Sequence, residues 1–156
     1  MRRADREILD FDEITGVVDK CHCCRLGFRD DGGVYIVPLN FGYKAEDGNL
    51  TFYFHSAREG RKIGLLAASP IVGFELDTGF ELNTGSFACG YSAKFESVIG
   101  SGTAEIVEDL TEKKLGLKLL MKHYTGRDDW DISDRDCGSV AVIRLKVREM
   151  TCKRHD

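Results

Sequence analysis

The sequence lacks a candidate membrane-spanning helix. No apolar run approaches the roughly 20 residues that a spanning helix needs, and the charged start Met1-Arg2-Arg3-Ala4-Asp5-Arg6 lacks the apolar core of a secretion signal behind it. Positive charge is not in excess either. With 22 Lys and Arg against 26 Asp and Glu, a formal charge of -4 and a pI near 5.6, the chain has no basic face of the kind a general nucleic-acid binder carries. Internal repeats, low-complexity tracts and a composition shift that would mark a second domain are also missing. The 156 residues therefore read as one domain spanning 1–156, long enough to bury roughly two thirds of the surface its unfolded form exposes. A cytoplasmic protein with no nucleic-acid and no membrane partner is expected.

Two further absences concern cofactors. The paired C-x2-C units of a tetrahedral zinc site do not occur. Cys21-His22-Cys23-Cys24 is the one cluster that could hold a metal, while Cys89, Cys137 and Cys152 lie singly along the chain. The six cysteines are read as free thiols behaving as small hydrophobes, with no metal site. Gly100-Ser101-Gly102 is not followed by the third glycine of a dinucleotide fingerprint, and no strand-helix alternation frames it.

What is present is a β-rich pattern with punctuation. Phe11 to Lys20 reads as a short helix with Ile14, Val17 and Val18 on one side, and Cys23 to Arg29 as an extended run. Asp30-Asp31-Gly32-Gly33 is a hairpin signal. Val34 to Tyr43 is a strand interrupted by Pro38, and Glu46-Asp47-Gly48-Asn49 turns the chain into Leu50 to His55, which predicts three antiparallel strands in meander order. Because Pro38 cannot donate to a ladder, its strand lies at an edge or is bulged there. Ile71 to Leu76 and Phe95 to Val107 supply more strands, with Asp77 to Lys94 between them unassigned. Gly100, Gly102 and Ala104 share one face, which suits either a flat ring approaching the backbone or a barrel strand bending at its glycines. Asp109 with Glu112 starts a helix whose Leu117, Leu120, Met121 and Tyr124 predict a buried face. Gly126 ends it, Arg127 to Asp136 is a charged loop carrying Trp130, and Ser139 to Val147 is a last strand.

The most telling stretch is Tyr53-Phe54-His55-Ser56-Ala57-Arg58-Glu59-Gly60-Arg61-Lys62, where a β-type run passes into a helix start dense in cations and small residues. Ser56 and Glu59 have capping-box spacing, and Ile63, Leu66 and Ala67 follow at helical spacing until Pro70, so a helix is predicted from near Ser56. The outward N–H groups of a first turn, together with Arg58, Arg61 and Lys62, form a cup for an anion such as phosphate. A well-capped surface helix is the plainer reading of the same residues.

With these elements placed, the chain resembles the flavin-binding split-barrel superfamily of pyridoxamine 5'-phosphate oxidase-like proteins, and within it the nitroimidazole-resistance proteins. The resemblance spans nearly the whole sequence. It rests on Met1-Arg2-Arg3 with Asp5-Arg6-Glu7-Ile8, on Cys24-Arg25-Leu26-Gly27, and on Tyr35-Ile36-Val37-Pro38-Leu39-Asn40-Phe41-Gly42-Tyr43. Tyr53-Phe54-His55-Ser56-Ala57, Gly60-Arg61-Lys62, Ser97-Val98-Ile99-Gly100 and Met121-Lys122-His123-Tyr124-Thr125-Gly126 complete it.

That resemblance implies a mainly β fold: a six-stranded antiparallel split β-barrel with flanking α-helices, assembled as a homodimer with FMN at the subunit interface. His55, Ser56, Ala57, Arg61 and Lys62 would then surround the flavin phosphate. Val37, Pro38, Leu39 and Asn40 would line the isoalloxazine, Ser97, Val98 and Ile99 would run along the ring or ribityl chain, and Trp130 or Tyr124 would cover the flavin from the partner. His55 would be the catalytic proton donor, or else a neutral ligand of the phosphate or backbone. FAD remains compatible, because an adenylate extension would project past the cup.

The implied function is an FMN-dependent oxidoreductase that reduces a small acceptor such as a nitroaromatic, a quinone or a flavin. The alternative is a flavin carrier or sensor without turnover. Relatives with this barrel also bind haem or the deazaflavin F420. True pyridoxamine-phosphate oxidases carry an arginine-rich C-terminal segment ending in an Arg-Leu-Ala-Pro-like tail. This chain instead finishes Glu149-Met150-Thr151-Cys152-Lys153-Arg154-His155-Asp156, so that enzyme's substrate site is not expected here.

Overall fold

The computed structural model describes residues 3–156, so Met1 and Arg2 of the N-terminal motif lie outside the described residues. The first helix, α1 (Phe11–Lys20), starts where the Asp10 carboxylate accepts the Glu13 amide at 2.9 Å, and it buries Ile14, Val17 and Val18 as their spacing predicts. Strands β2 (Cys24–Asp30) and β3 (Gly33–Leu39) form the expected hairpin, with Gly33 at φ 135° closing the turn. Strands β4 (Gly42–Glu46) and β5 (Asn49–Ser56) form the next one. Asp47 and Gly48 both have positive φ there, as a tight two-residue turn requires.

The chain continues through α2 (Arg61–Ala68), β6 (Ile71–Asn83), β7 (Ser92–Ile106), α3 (Leu110–Thr125), α4 (Asp134–Ser139) and β8 (Ala141–His155). A two-residue strand near the N-terminus, β1 (Glu7–Ile8), pairs with β8. No described helix is long and apolar enough to cross a membrane.

The strands form one antiparallel sheet in the order β3-β2-β6-β7-β8-β5-β4. Its two outer strands, β3 and β4, are consecutive in the chain yet do not pair. The sheet is therefore rolled until its edges meet at Asn40 and Phe41 and left open along that seam, which is a split barrel. The predicted meander is corrected here: the run from Val34 to Tyr43 is two strands, β3 on β2 and β4 on β5. The division raises the expected six strands to eight when β1 is counted too. Pro38 does lie on an edge strand, where its missing N–H leaves no ladder gap.

Inside the roll, Leu26, Phe28, Phe41, Leu50, Phe52, Phe54, Leu76, Ile143 and Leu145 form the core with Val17 and Val18 of α1. The face carrying Gly100, Gly102 and Ala104 points into this interior. A Cβ on Gly100 would overlap the Glu149 carbonyl and the Phe74 ring, and one on Gly102 the Lys146 carbonyl. The register of β7 on β8 slips between Ser101 and Gly102. These glycines thus let the strand bend, and they present no platform for a ring.

Residues 77–94, unassigned from sequence, are the continuation of β6 and β7 into a hairpin. It is re-aimed where Gly79, at φ 69°, sits in a register slip between Thr78 and Glu81. The final strand starts at Ala141 and runs to His155, well beyond Val147, and α4, started by a Ser133–Asp136 capping box, runs from the end of the expected charged loop to Ser139, the expected start of the strand. The predicted face of α3 is also corrected. Leu117, Leu120 and Met121 are half-buried and Tyr124 is exposed, because the helix comes in through its small residues. Gly116 lies on the Tyr53 ring, and the backbone at Leu119 and Leu120 lies directly on Gly42, which leaves no space for a Cβ.

This contact predicts that Gly42→Ala lowers the unfolding free energy by at least about 2 kcal/mol in urea titrations, since backbone on both sides cannot yield. Gly27→Ala, whose Cβ would meet nothing nearer than 3.6 Å, should stay within about 1 kcal/mol of the parent.

Candidate anion cup at the barrel seam

At the end of β5 the ladder persists one residue further than the sequence pattern suggests, with His55 opposite Val142 and Ser56 opposite Ala141. Alternation along the strand buries Ser56 and leaves His55 exposed. The Ser56 hydroxyl donates to the Ala57 carbonyl at 2.9 Å. Ser56 therefore caps no helix, and the predicted capping box with Glu59 is corrected. The helix starts at Arg61, after Gly60 turns the chain at φ 123°, and no side chain caps it.

The Ile63 and Gly64 amides donate to the Gly60 carbonyl at 3.0 and 3.2 Å. Ahead of them, the first-turn amides of Arg61 and Lys62 are left without an intrahelical acceptor. An open N-terminus of this kind attracts an anion more strongly than one closed by a glutamate carboxylate. The Glu59 carboxylate makes no cap on these amides.

The three cations of the stretch are placed differently. Arg58 donates to the Gly138 carbonyl of α4 at 3.3 Å and so helps dock that helix. Lys62 has no hydrogen-bond or ion-pair partner among the described residues. Arg61 reaches back to the β2–β3 hairpin. Its Nε donates to Asp30 Oδ2 at 3.0 Å, a second guanidinium nitrogen donates to the same oxygen, and the guanidinium carbon lies 4.6 Å from the centre of the Tyr35 ring. Hydrogen bonding from Arg61 holds the Asp30 carboxyl below the ordinary carboxylate range. Neither Asp30 nor Tyr35 stood out in the sequence, since each was accounted for by a turn or a strand.

The seam brings the predicted ring-lining segment to the same end of the barrel. With Gly42 opposite Tyr53, the chain enters β4 through Asn40 and Phe41 beside the Phe54–His55 end of β5. Val37 and Leu39 turn inward against the core, while Pro38 and Asn40 face outward. Val34 and Ile36, both more than 60% exposed, extend that outward apolar face along the edge strand.

Other predicted positions are not brought to the cup within one chain. The Val98 side chain is fully buried in the core. Ile99 faces outward in a row with Pro38, Arg25 and Glu75, three strand spacings from Pro38, or about 14 Å at ~4.8 Å per strand. Ser97 lies opposite Asp77 and is buried. Trp130 sits between α3 and α4, donating to the Thr125 hydroxyl at 3.2 Å beneath the Arg127 guanidinium. Tyr124 instead closes the seam: its hydroxyl accepts the Phe41 amide at 3.3 Å and donates to the His22 carbonyl at 2.7 Å.

A separate cleft of about 380 Å³ lies between α1, β4 and α3, lined by Asp19, Tyr43, Ala45, Leu119, Lys122 and His123, and shares no residue with the cup. Among the described residues, no three His, Cys, Asp or Glu side chains converge as metal ligands. In the cysteine-rich cluster Cys21 and Cys24 point into the core, and burial pushes the Cys21 thiol up to about 12.

Residues 10–154 match a family described as pyridoxamine 5'-phosphate oxidase. No curated protein matches the sequence. Among solved structures, a Bacteroides thetaiotaomicron protein provisionally described as a 5-nitroimidazole antibiotic resistance protein is 34% identical, over 95% of this chain and 86% of that one, with a TM-score of 0.81. A flavocytochrome from Azotobacter vinelandii is 19% identical over 100% of this chain and 72% of that one, with a TM-score of 0.81. A FAD-binding protein from Mesorhizobium loti is 24% identical over 95% and 96%, with a TM-score of 0.64. At those last two identities the likeness is one of fold.

The burial pattern predicts the order of thiol labelling in native protein near neutral pH. Exposed Cys89 should react first and half-buried Cys23 more slowly, while Cys21, Cys24, Cys137 and Cys152 should react only after unfolding. Mass spectrometry of labelled peptides reads this directly, and rapid labelling of Cys24 in native protein would contradict it.

Proposed function

Starting from a chain that belongs to the pyridoxamine 5'-phosphate oxidase family, we propose that it is a single-domain, FMN-dependent oxidoreductase of the cytoplasm. It reduces a small acceptor such as a nitroaromatic, a quinone or another flavin. The observation that carries this reading is the uncapped start of α2 at Arg61 and Lys62, which follows closely in the chain on the exposed His55 at the end of β5. Free amides, two cations and an adjacent apolar edge strand match the two ends of a flavin mononucleotide, a dianionic phosphate and a flat aromatic ring. The likeness to a flavocytochrome and to a FAD-binding protein supports a flavin over other phosphates. FAD fits the same cup, its adenylate extending into solvent.

Bound FMN would supply the electron-transfer chemistry. The chain's own residues bind and orient it: Ser56 and Ala57 with Arg61 and Lys62 hold the phosphate, and the Val37–Asn40 edge flanks the ring. Pro38 and Asn40 do so with side chains and the outer edge of their backbone, and Val37 and Leu39, paired to β2 and turned inward, back them from the core side. His55, whose imidazole is exposed at that end of β5, delivers a proton to the reduced acceptor. A second copy of the chain completes the site. Its outward sheet face, including Ile99 and Ser97 with the backbone of Val98 between them, and its Trp130 cover the flavin from the other side. The exposed apolar residues Val34, Ile36, Ile71 and Ile99 support such an interface.

Lys62→Ala combined with Arg61→Ala should weaken FMN binding by roughly tenfold or more without loss of the folded state, since each charge-assisted contact contributes about 1.5–3 kcal/mol. Fluorescence titration measures it, and unchanged affinity would move the phosphate elsewhere. His55→Ala should retain flavin but lose steady-state nitroreduction with NADH or NADPH. Wild-type protein that holds flavin yet shows no turnover with any donor would instead be a carrier or sensor, and a haem or F420 spectrum in the purified protein would replace the flavin reading.

A further inference from the structure

We infer that Asp30 and Tyr35 are positioning residues for the cofactor phosphate, holding the Arg61 guanidinium by one edge and one face so that its remaining edge is free to grip the anion. The inference rests on the flavin reading of the cup and concerns two residues outside the cup itself. A guanidinium carries five N–H donors. In Arg61 the Nε–H and one further N–H go to a single oxygen, Asp30 Oδ2, which leaves three donors uncommitted. The ring of Tyr35 lies under the guanidinium at 4.6 Å and is itself packed against Phe28, with ring centres 6.0 Å apart. Asp30 is equally restrained, because its Oδ1 accepts the Asp31 amide at 2.8 Å in the hairpin turn.

The carboxylate beside Arg61 could in principle compete with a phosphate. The exposures decide against that role: the Arg61 side chain is 62% exposed and that of Asp30 only 20%. The cation is thus presented to solvent while the anion stands behind it, with both oxygens already occupied. A free arginine gives up rotamer freedom when it grips an anion, whereas one already held by an edge and a face has given most of it up beforehand. The same contacts link α2, which bears the cup, to β3, which bears the ring edge. Phosphate and ring are thereby held in register before any ligand arrives.

The test compares FMN with riboflavin, which lacks the phosphate, in fluorescence titrations of the full chain carrying Asp30→Asn, Tyr35→Leu or Tyr35→Phe. Expected is a roughly three- to tenfold loss of FMN affinity for Asp30→Asn and Tyr35→Leu. Riboflavin affinity should be unchanged, and Tyr35→Phe, which keeps the ring, should bind like the parent. Equal losses for FMN and riboflavin would mean a general structural role and overturn the inference. FMN affinity that is unchanged or tighter in Asp30→Asn would show no role or a competing one, and would overturn it as well. If Asp30→Asn fails to fold, the Tyr35→Leu and Tyr35→Phe pair gives the same discrimination. Wild-type protein that takes up neither ligand would overturn the flavin reading first and this inference with it, whereas a binding wild type with unaffected variants overturns the inference alone.

Discussion

The structure depends on one sharp departure from regular pairing, the bend at Asn40–Phe41–Gly42. A single extended run pairs outward to β2 on one side of the bend and to β5 on the other, so both free edges of the sheet belong to it. Phe41 fixes the bend by burying its ring against Phe52, and Gly42 fixes it from outside by admitting the α3 backbone. The Tyr124 hydroxyl then satisfies the Phe41 amide that the open seam would otherwise leave unpaired. A full ladder between β3 and β4 would close the barrel and cover the edge against which a flat ligand can lie. The open seam is a constraint that leaves backbone and apolar side chains available.

The cup follows from the same geometry. Because β5 stays in the ladder through Ser56, the helix is delayed to Arg61, and Gly60 turns the chain without placing a capping side chain over the first amides. Arg61 then points to the hairpin on the other edge of the seam. Exposed ion pairs such as Arg61–Asp30 contribute little to stability; here the contribution is directional, fixing a cation where mobility would weaken its grip on an anion. His55, one residue before the buried Ser56, faces outward at the same end. The cations, the outward apolar edge and the exposed imidazole thus come from segments that the seam brings together.

Much of this could be read from residue order. The α1 face, the Asp30–Gly33 turn, the edge position of Pro38 and the Asp109 cap rest on interactions within a few residues, where spacing is a sufficient guide. The readings that changed were those where a local signal competed with a long-range partner. Ser56 and Glu59 have capping-box spacing, yet pairing with Ala141, far along the chain, keeps Ser56 in a strand. Leu117, Leu120 and Met121 have core spacing, but α3 approaches through Gly116 and onto Gly42, whose small size permits backbone contact that hydrophobic periodicity does not register. Gly100 and Gly102 suited two readings until the carbonyls of β8 were in place beside them.

By itself, then, the sequence determined most of the elements, the family resemblance and the chemical character of the Tyr53–Lys62 stretch, because these depend on local spacing, charge and turn chemistry. Only the tertiary structure decided which half of the Val34–Tyr43 run pairs with which strand, and that α2 begins uncapped at Arg61. It also decided which cation is held by Asp30 and Tyr35, which by Gly138, and which has no partner among the described residues. The physical reason is that each of these outcomes turns on a partner distant in sequence: a ladder register, a backbone contact or a carboxylate supplied by another hairpin.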